Sequence, residues 1–213
     1  HLWIRRQRQM CIRDRPGTVK KPEKLRAVLI DRDGVINEEP GPILKPEAFR
    51  FVPGSIEAVA RLNQAGWLCL LVTNQAALAR GQMNLGEFSA VTRKMNRELF
   101  RSGARMDAMY FCPHHPDWDA GKKRSSPKNC GCRKPEPGLL EKACRAHGIL
   151  PSETVMIGDT TKDFEASRRF GCFSIGVRTG HGGQDGTCST KPDCWQDDLA
   201  SAVDWLMGGE TMT

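Results

Sequence analysis

No stretch of the 213-residue chain approaches the run of about twenty apolar residues that a membrane-crossing helix needs. Heptad patterning and internal repeats are also missing, which argues against a coiled coil or a solenoid. No secretory leader precedes the first apolar segment. The nine cysteines are therefore expected to be reduced, as metal ligands or small buried hydrophobes rather than disulfides, and a cytoplasmic location is expected. Acid is in short supply: 32 Lys and Arg face 25 Asp and Glu, for a net charge of +7. Such an excess invites a nucleic-acid reading, but its source is local.

Five arginines and one aspartate lie in the first fifteen residues, "HLWIRRQRQMCIRDR", and without them the net charge falls from +7 to +3. Arg5 to Asp14 back-translates codon for codon as CGT CGG CAG CGT CAG ATG TGT ATA AGA GAC, a transposon adapter used to prepare DNA sequencing libraries. Residues 1–15 are thus expected to be translated adapter, disordered and outside the fold. Residues 16–25 read as an N-terminal tail, 26–208 as a single domain and 209–213 as a C-terminal tail. Neither nucleic acid nor membrane is expected as a partner.

What is present is an alternation of short apolar runs and amphipathic stretches. "AVLI" (27–30), "WLCLLVT" (67–73), "AMYFC" (108–112), "TVMIG" (154–158) and "CFSIGV" (172–177) read as strands. Between and after them, helical spacing occupies 55–66, 86–103, 138–148, 161–170 and the closing stretch "DDLASAVDWLMGG". Parallel neighbours need crossover connections and helices supply them, so the pattern predicts an α/β fold with a central parallel sheet. Ligands bind such sheets beyond the carboxyl ends of the strands, where "DRDG", "TNQ", "CPHH" and "GDTTKD" stand. The stretch "GHGGQDGTCSTK" (180–191) reads as loop.

"DRDGVIN" places Asp31 and Asp33 two residues apart, on one side of an extended chain. Two acids so close repel, which a divalent cation or a shared proton relieves; alone, the motif could be a calcium-type loop or a plain turn. "IGDTTKD" adds Asp159 and Asp163, for which helix capping is the ordinary explanation. Capping accounts for either cluster but not for both standing at strand ends, where converging carboxylates suit Mg2+. Cys112, His114, Cys130 and Cys132 form C-x-H-x15-C-x-C, a set suited to tetrahedral zinc with no open position, although His115 could replace His114. Cys69, Cys144 and Cys172 read as core packing, while Cys188 and Cys194 carry no assignment.

In order along the chain, D-x-D-G-V, a strand-terminal Thr-Asn, a Lys before Pro and G-D-x-x-x-D resemble the four motifs of the haloacid dehalogenase (HAD) superfamily of phosphatases. "DRDGVIN", "TNQAALARG", "CPHHP", "CRKPEPG" and "IGDTTKD" together resemble the D-glycero-D-manno-heptose 1,7-bisphosphate 7-phosphatases, with the histidinol-phosphate phosphatases as near relatives. The likeness implies a three-layer Rossmann-like HAD fold with no large cap domain and a zinc-stapled loop. It further implies a monomer acting on a small sugar phosphate.

By this resemblance Asp31 is the nucleophile that forms an aspartyl phosphate, and Asp33 protonates the leaving oxygen and later deprotonates water. Thr73 and Lys134 would hold phosphoryl oxygens. Mg2+ would lie between Asp31, the Asp33 carbonyl and Asp159, and structural Zn2+ would be held by Cys112, His114, Cys130 and Cys132, the family register favouring His114. Arg32, Glu39, Gly41, Asn74, Gln75, Ala76, Arg133 and Thr160 would contact substrate. Arg133 is suited to a second phosphate. The chain departs from the family pattern at Pro40 and Pro42, which lack backbone donors, and at Thr160, where these phosphatases often carry lysine. A histidinol-phosphate phosphatase and a zinc-knuckle nucleic-acid-binding module are the alternative readings.

Overall fold

The computed structural model describes residues 26–116 and 130–208. The first fifteen residues, expected to be translated adapter, both expected tails and most of the loop between His114 and Cys130 lie outside the described residues. Six strands form one parallel sheet in the order β3-β2-β1-β4-β5-β6. They are β1 (Ala27–Ile30), β2 (Leu68–Asn74), β3 (Ala108–Cys112), β4 (Thr154–Gly158), β5 (Phe173–Val177) and β6 (Cys194–Gln196). The first five match the sequence expectation within a residue; β6 is not among the expected strands, because three residues ending in glutamine leave no periodicity to read.

Helices α1 (Ser55–Gln64), α3 (Leu85–Arg101), α4 (Gly138–His147), α5 (Thr161–Phe170) and α6 (Leu199–Leu206) stand where helical spacing placed them, and a one-turn α2 (Ala76–Ala79) follows β2. Their starts have local causes. For α3, the Asn84 and Glu87 side chains each accept the other residue's backbone N–H, at 3.0 and 2.7 Å.

Alternate strand residues feed opposite layers, as a period of two requires. Val28, Ile30, Cys69, Leu71, Val155 and Ile157 pack with α1, α3 and α6 on one face. Ala27, Leu29, Leu70, Val72 and Met156 pack with α4 and α5 on the other. Cys69, Cys144 and Cys172 are buried in these layers. This is the three-layer arrangement, with helices on both faces of a parallel sheet, that the resemblance implies, and no second folded unit interrupts it among the described residues. None of those residues forms a helix long and apolar enough to cross a membrane.

Register sets the site. Ile30 lies level with Leu71 on one side and Ile157 on the other, so the chain leaves β1 at Asp31 beside the ends of β2 and β4. Asn74 lies level with Cys112, which puts the end of β3 next to that edge.

Candidate active site

Lys134 is the hub. It is buried to 1% exposure, and its ammonium lies 3.0 Å from Asp31 Oδ1 and 2.6 Å from Asp163 Oδ1 while donating to the Val72 carbonyl at 2.9 Å. A buried ammonium survives only when its three donors are met, and two carboxylates and a carbonyl meet them. Burial alone would lower the lysine's pKa, but the charges of Asp163 and Asp31 outweigh it and hold Lys134 firmly protonated. Asn74 fixes the Lys134 backbone from β2 by a reciprocal pair, Nδ2 to the Lys134 carbonyl at 3.0 Å and the Lys134 N–H to Oδ1 at 3.1 Å.

Asp33 is held separately. Its carboxylate accepts from Arg32 Nε and Nη2 (3.0 and 2.8 Å), from Asn37 Nδ2 (3.1 Å) and from Gln75 Nε2 (2.9 Å). Gln75 Nε2 is also 2.9 Å from Thr73 Oγ1, which connects the Asp33 network to the end of β2. Arg32 is itself buried, with its guanidinium 5.8 Å from the Phe88 ring centre. Gly34 turns the chain away at φ +81°, and a Cβ there would collide with the Asp159 carboxylate.

Asp159 is fully buried, and it is not the helix cap. Thr160 takes that place, its N–H and hydroxyl both donating to Asp163 Oδ2 at 3.0 and 2.6 Å. Asp159 Oδ2 accepts the His181 N–H at 2.7 Å, and Oδ1 is buried with no partner among the described residues. Burial, then the charges of Asp31 and Asp163, push Asp159 up to about 9. Burial likewise pushes Asp31 up to about 7 although Lys134 opposes it. Carboxylates that resist ionisation beside an unpartnered buried oxygen fit a divalent cation. Ligand atoms of Asp31, Asp159 and Asp163 lie within 4.8 Å of one another. Of these, Asp163 is already engaged by Lys134 and Thr160, which leaves Asp31 and Asp159 as the pair open to a cation.

These groups open into a cavity of about 290 Å3 lined also by Thr73, Glu39, Ala76, Arg133 and Thr160. A neighbouring cavity of about 370 Å3 is lined by Gly41, Gln75, Arg32 and the two prolines of "EPGP". Burial and the nearby Asp33 and Asp31 charges push Glu39 up to about 7. Arg133 reaches the cavity and also donates to the His114 carbonyl at 3.0 Å.

Behind Arg133, Cys112 Sγ lies 3.2 Å from Cys132 Sγ and 3.7 Å from both Cys130 Sγ and His114 Nδ1. The four ligand atoms sit within 4.8 Å of one another, and edges near 3.7 Å suit a tetrahedron with bonds of about 2.3 Å to zinc. His115 points elsewhere, 3.1 Å from Arg80. The acidic site and the Cys/His cluster connect here, because the Gln75 N–H donates to the Cys112 carbonyl at 2.8 Å.

The structure thus gathers every site residue expected from the sequence around two adjoining centres, though the Thr160 hydroxyl is turned to Asp163 rather than into the open cavity. Sequence reasoning missed Asn37, Arg80, Lys162 and His181, of which the last three line the cavities. It noted Asp163 in its motif without giving it the lysine. Only the glycine-rich setting of His181 hints at a close backbone approach, and by composition that stretch reads as loop.

The HAD-hydrolase-like family model matches residues 131–202. A D-glycero-D-manno-heptose-1,7-bisphosphate 7-phosphatase of Thermosynechococcus vestitus is 38% identical over 84% of this chain and 94% of its own length. The D-glycero-beta-D-manno-heptose-1,7-bisphosphate 7-phosphatase of Bordetella bronchiseptica is 34% identical over 86% and 98%. A crystal structure of the D,D-heptose 1,7-bisphosphate phosphatase from B. bronchiseptica, complexed with magnesium and phosphate, superposes with a TM-score of 0.75 at 33% identity, covering 87% of this chain and 100% of that one. With its motifs converging at one sheet edge and relatives of this identity along most of its length, the chain belongs to the family of the D-glycero-D-manno-heptose-1,7-bisphosphate 7-phosphatases, HAD-type phosphoric monoester hydrolases.

Proposed function

We propose that the chain hydrolyses the 7-phosphate of D-glycero-D-manno-heptose 1,7-bisphosphate in the cytoplasm, as a monomer, through an aspartyl phosphate on Asp31. The observation that carries the reading is the Asp31–Lys134–Asp163 arrangement beside the unpartnered oxygen of Asp159. A carboxylate cannot approach an anionic phosphate unless cations offset the repulsion. Lys134 supplies one such charge. Mg2+ held by Asp31, the Asp33 carbonyl and Asp159 would supply the other, neutralising phosphate and nucleophile together.

An Asp31 oxygen attacks phosphorus and the bond from phosphorus to the sugar oxygen breaks. Asp33 gives that oxygen a proton, then takes one from the water that cleaves the acyl phosphate, so that Asp31 is regenerated and inorganic phosphate leaves. Arg32, Asn37 and Gln75 fix the direction of the Asp33 carboxyl group by donating to its oxygens. The Thr73 hydroxyl and the Lys134 ammonium would stabilise the phosphoryl oxygens. Glu39, Gly41, Asn74, Gln75 and Ala76 would border the sugar, with Arg133 meeting the second phosphate. Zn2+ on Cys112, His114, Cys130 and Cys132 would be structural, with all four positions filled by protein.

Phosphate release from both heptose bisphosphate anomers, histidinol phosphate and simple sugar phosphates, with Mg2+ present or omitted, tests the reading. Magnesium-dependent turnover fastest on a heptose bisphosphate is the expected result. Absence of turnover on every phosphomonoester would overturn it.

A further inference from the structure

The stretch that the sequence presents as loop forms part of the wall around Asp159. Gly180 stands at φ +60°, and a Cβ on it would collide with Asp159 Oδ2 and come within 2.6 Å of Gly34 Cα. The next residue's N–H, from His181, donates to Asp159 Oδ2 at 2.7 Å. Two residues on, the Gly183 N–H donates to the Asp159 carbonyl at 2.7 Å. The turn is braced from behind: Gly183 has no room for a Cβ against the Trp195 ring, which packs edge-on to Phe164 at 5.4 Å.

We infer that the turn from Thr179 to Gly183 is a positioning element for the catalytic cation. By occupying Asp159 Oδ2 with a backbone donor it leaves Oδ1 as the oxygen offered to the ion, and Gly180 is the residue whose lack of a side chain allows the approach. The inference rests on the proposed role of Asp159. The turn comes from the segment after β5, far in sequence from the first acidic motif. Its backbone donor, not a side chain, does the positioning.

Calorimetric titration of the zinc-loaded protein with Mn2+, in the absence of substrate, tests it. Asp159→Asn should abolish binding; binding as in the wild type would overturn the site reading itself. With that arm as expected, Gly180→Ala should weaken Mn2+ by about tenfold or more. Gly186→Ala carries the same left-handed backbone strain, at φ +63°, with nothing near its Cβ, and should stay within about twofold of wild type. Equal effects at both glycines, or none at Gly180, would overturn this inference alone. Should Gly180→Ala lose its zinc or its far-UV dichroism, the wild type decides. The His181 amide resonance should shift on adding Mg2+ and stay still in Asp159→Asn, and a resonance that ignores Mg2+ in the wild type would sink the proposal.

Discussion

The carboxylates of the cavity and Glu165 of helix α5 are pushed in opposite directions. In the cavity, burial drives Asp159 up to about 9 and Asp31 up to about 7. On the helix, Glu165 accepts from Arg168 at 2.8 and 2.7 Å, from Arg169 at 2.8 Å and from Thr190, and these partners hold its carboxyl far below the usual range. Glu165 is complete as folded. Asp159 is not, because its Oδ1 has no partner among the described residues, and perturbed buried acids of this kind cluster at functional sites. The contrast separates a carboxylate that helps to hold the fold from one to which the proposed function gives a cation.

The largest effect expected on breaking the cavity side is that of Asp31→Asn, which should cut phosphate release by about ten-thousand-fold with the melting curve preserved, as for loss of a nucleophile. A residual rate near wild type would remove Asp31 from the chemistry. Asp159→Asn should cost about a thousand-fold, and it also carries a pH signature. Because the pKa of Asp159 is raised from an ordinary 3.8 to about 9, the folded chain holds a proton that the unfolded chain has released. In magnesium-free buffer, stability should therefore fall as pH rises from about 4 towards 9. Thermal melts should show that slope flattened by added Mg2+ and, above about pH 7, by Asp159→Asn, whose amide does not titrate, while Asp31 and Glu39 add to it at lower pH; an unchanged slope above pH 7 in this variant would assign it elsewhere.

Cys130→Ser tests whether the zinc cluster serves the site through position alone. Loss of bound zinc, with activity reduced by about ten- to a hundredfold through Arg133 and Lys134, is the expected result. Full turnover with metal retained would break the link drawn through Gln75 and Cys112. Smallest is Glu165→Gln. It should leave turnover unchanged and lower the melting temperature only slightly at pH 7, since Arg168 is well exposed and solvent screens the pair. The lowered pKa makes this contribution complete above the ordinary carboxylate range and lost as pH falls below it, so the difference in melting temperature should shrink steadily on acidification from about pH 5.

The sequence by itself determined the layer order, because apolar runs separated by amphipathic helices leave few alternatives to a parallel sheet. It also supplied the acids and the Cys/His set, whose side-chain chemistry is readable in one dimension, while Thr73 and Lys134 entered through the resemblance of the ordered motifs. What only the tertiary structure decided was pairing. Lys134 lies 103 residues from Asp31 and 29 from Asp163 in the numbering, and only the sheet register shows that both acids meet the same ammonium. The family register already favoured His114 over His115, and side-chain direction agrees, with the sulfur cluster beside His114 and Arg80 beside His115. Least legible was the turn around His181, whose contribution is a backbone N–H. Every residue but proline owns that group, so nothing in the letters distinguishes one that reaches a buried carboxylate from one that faces water.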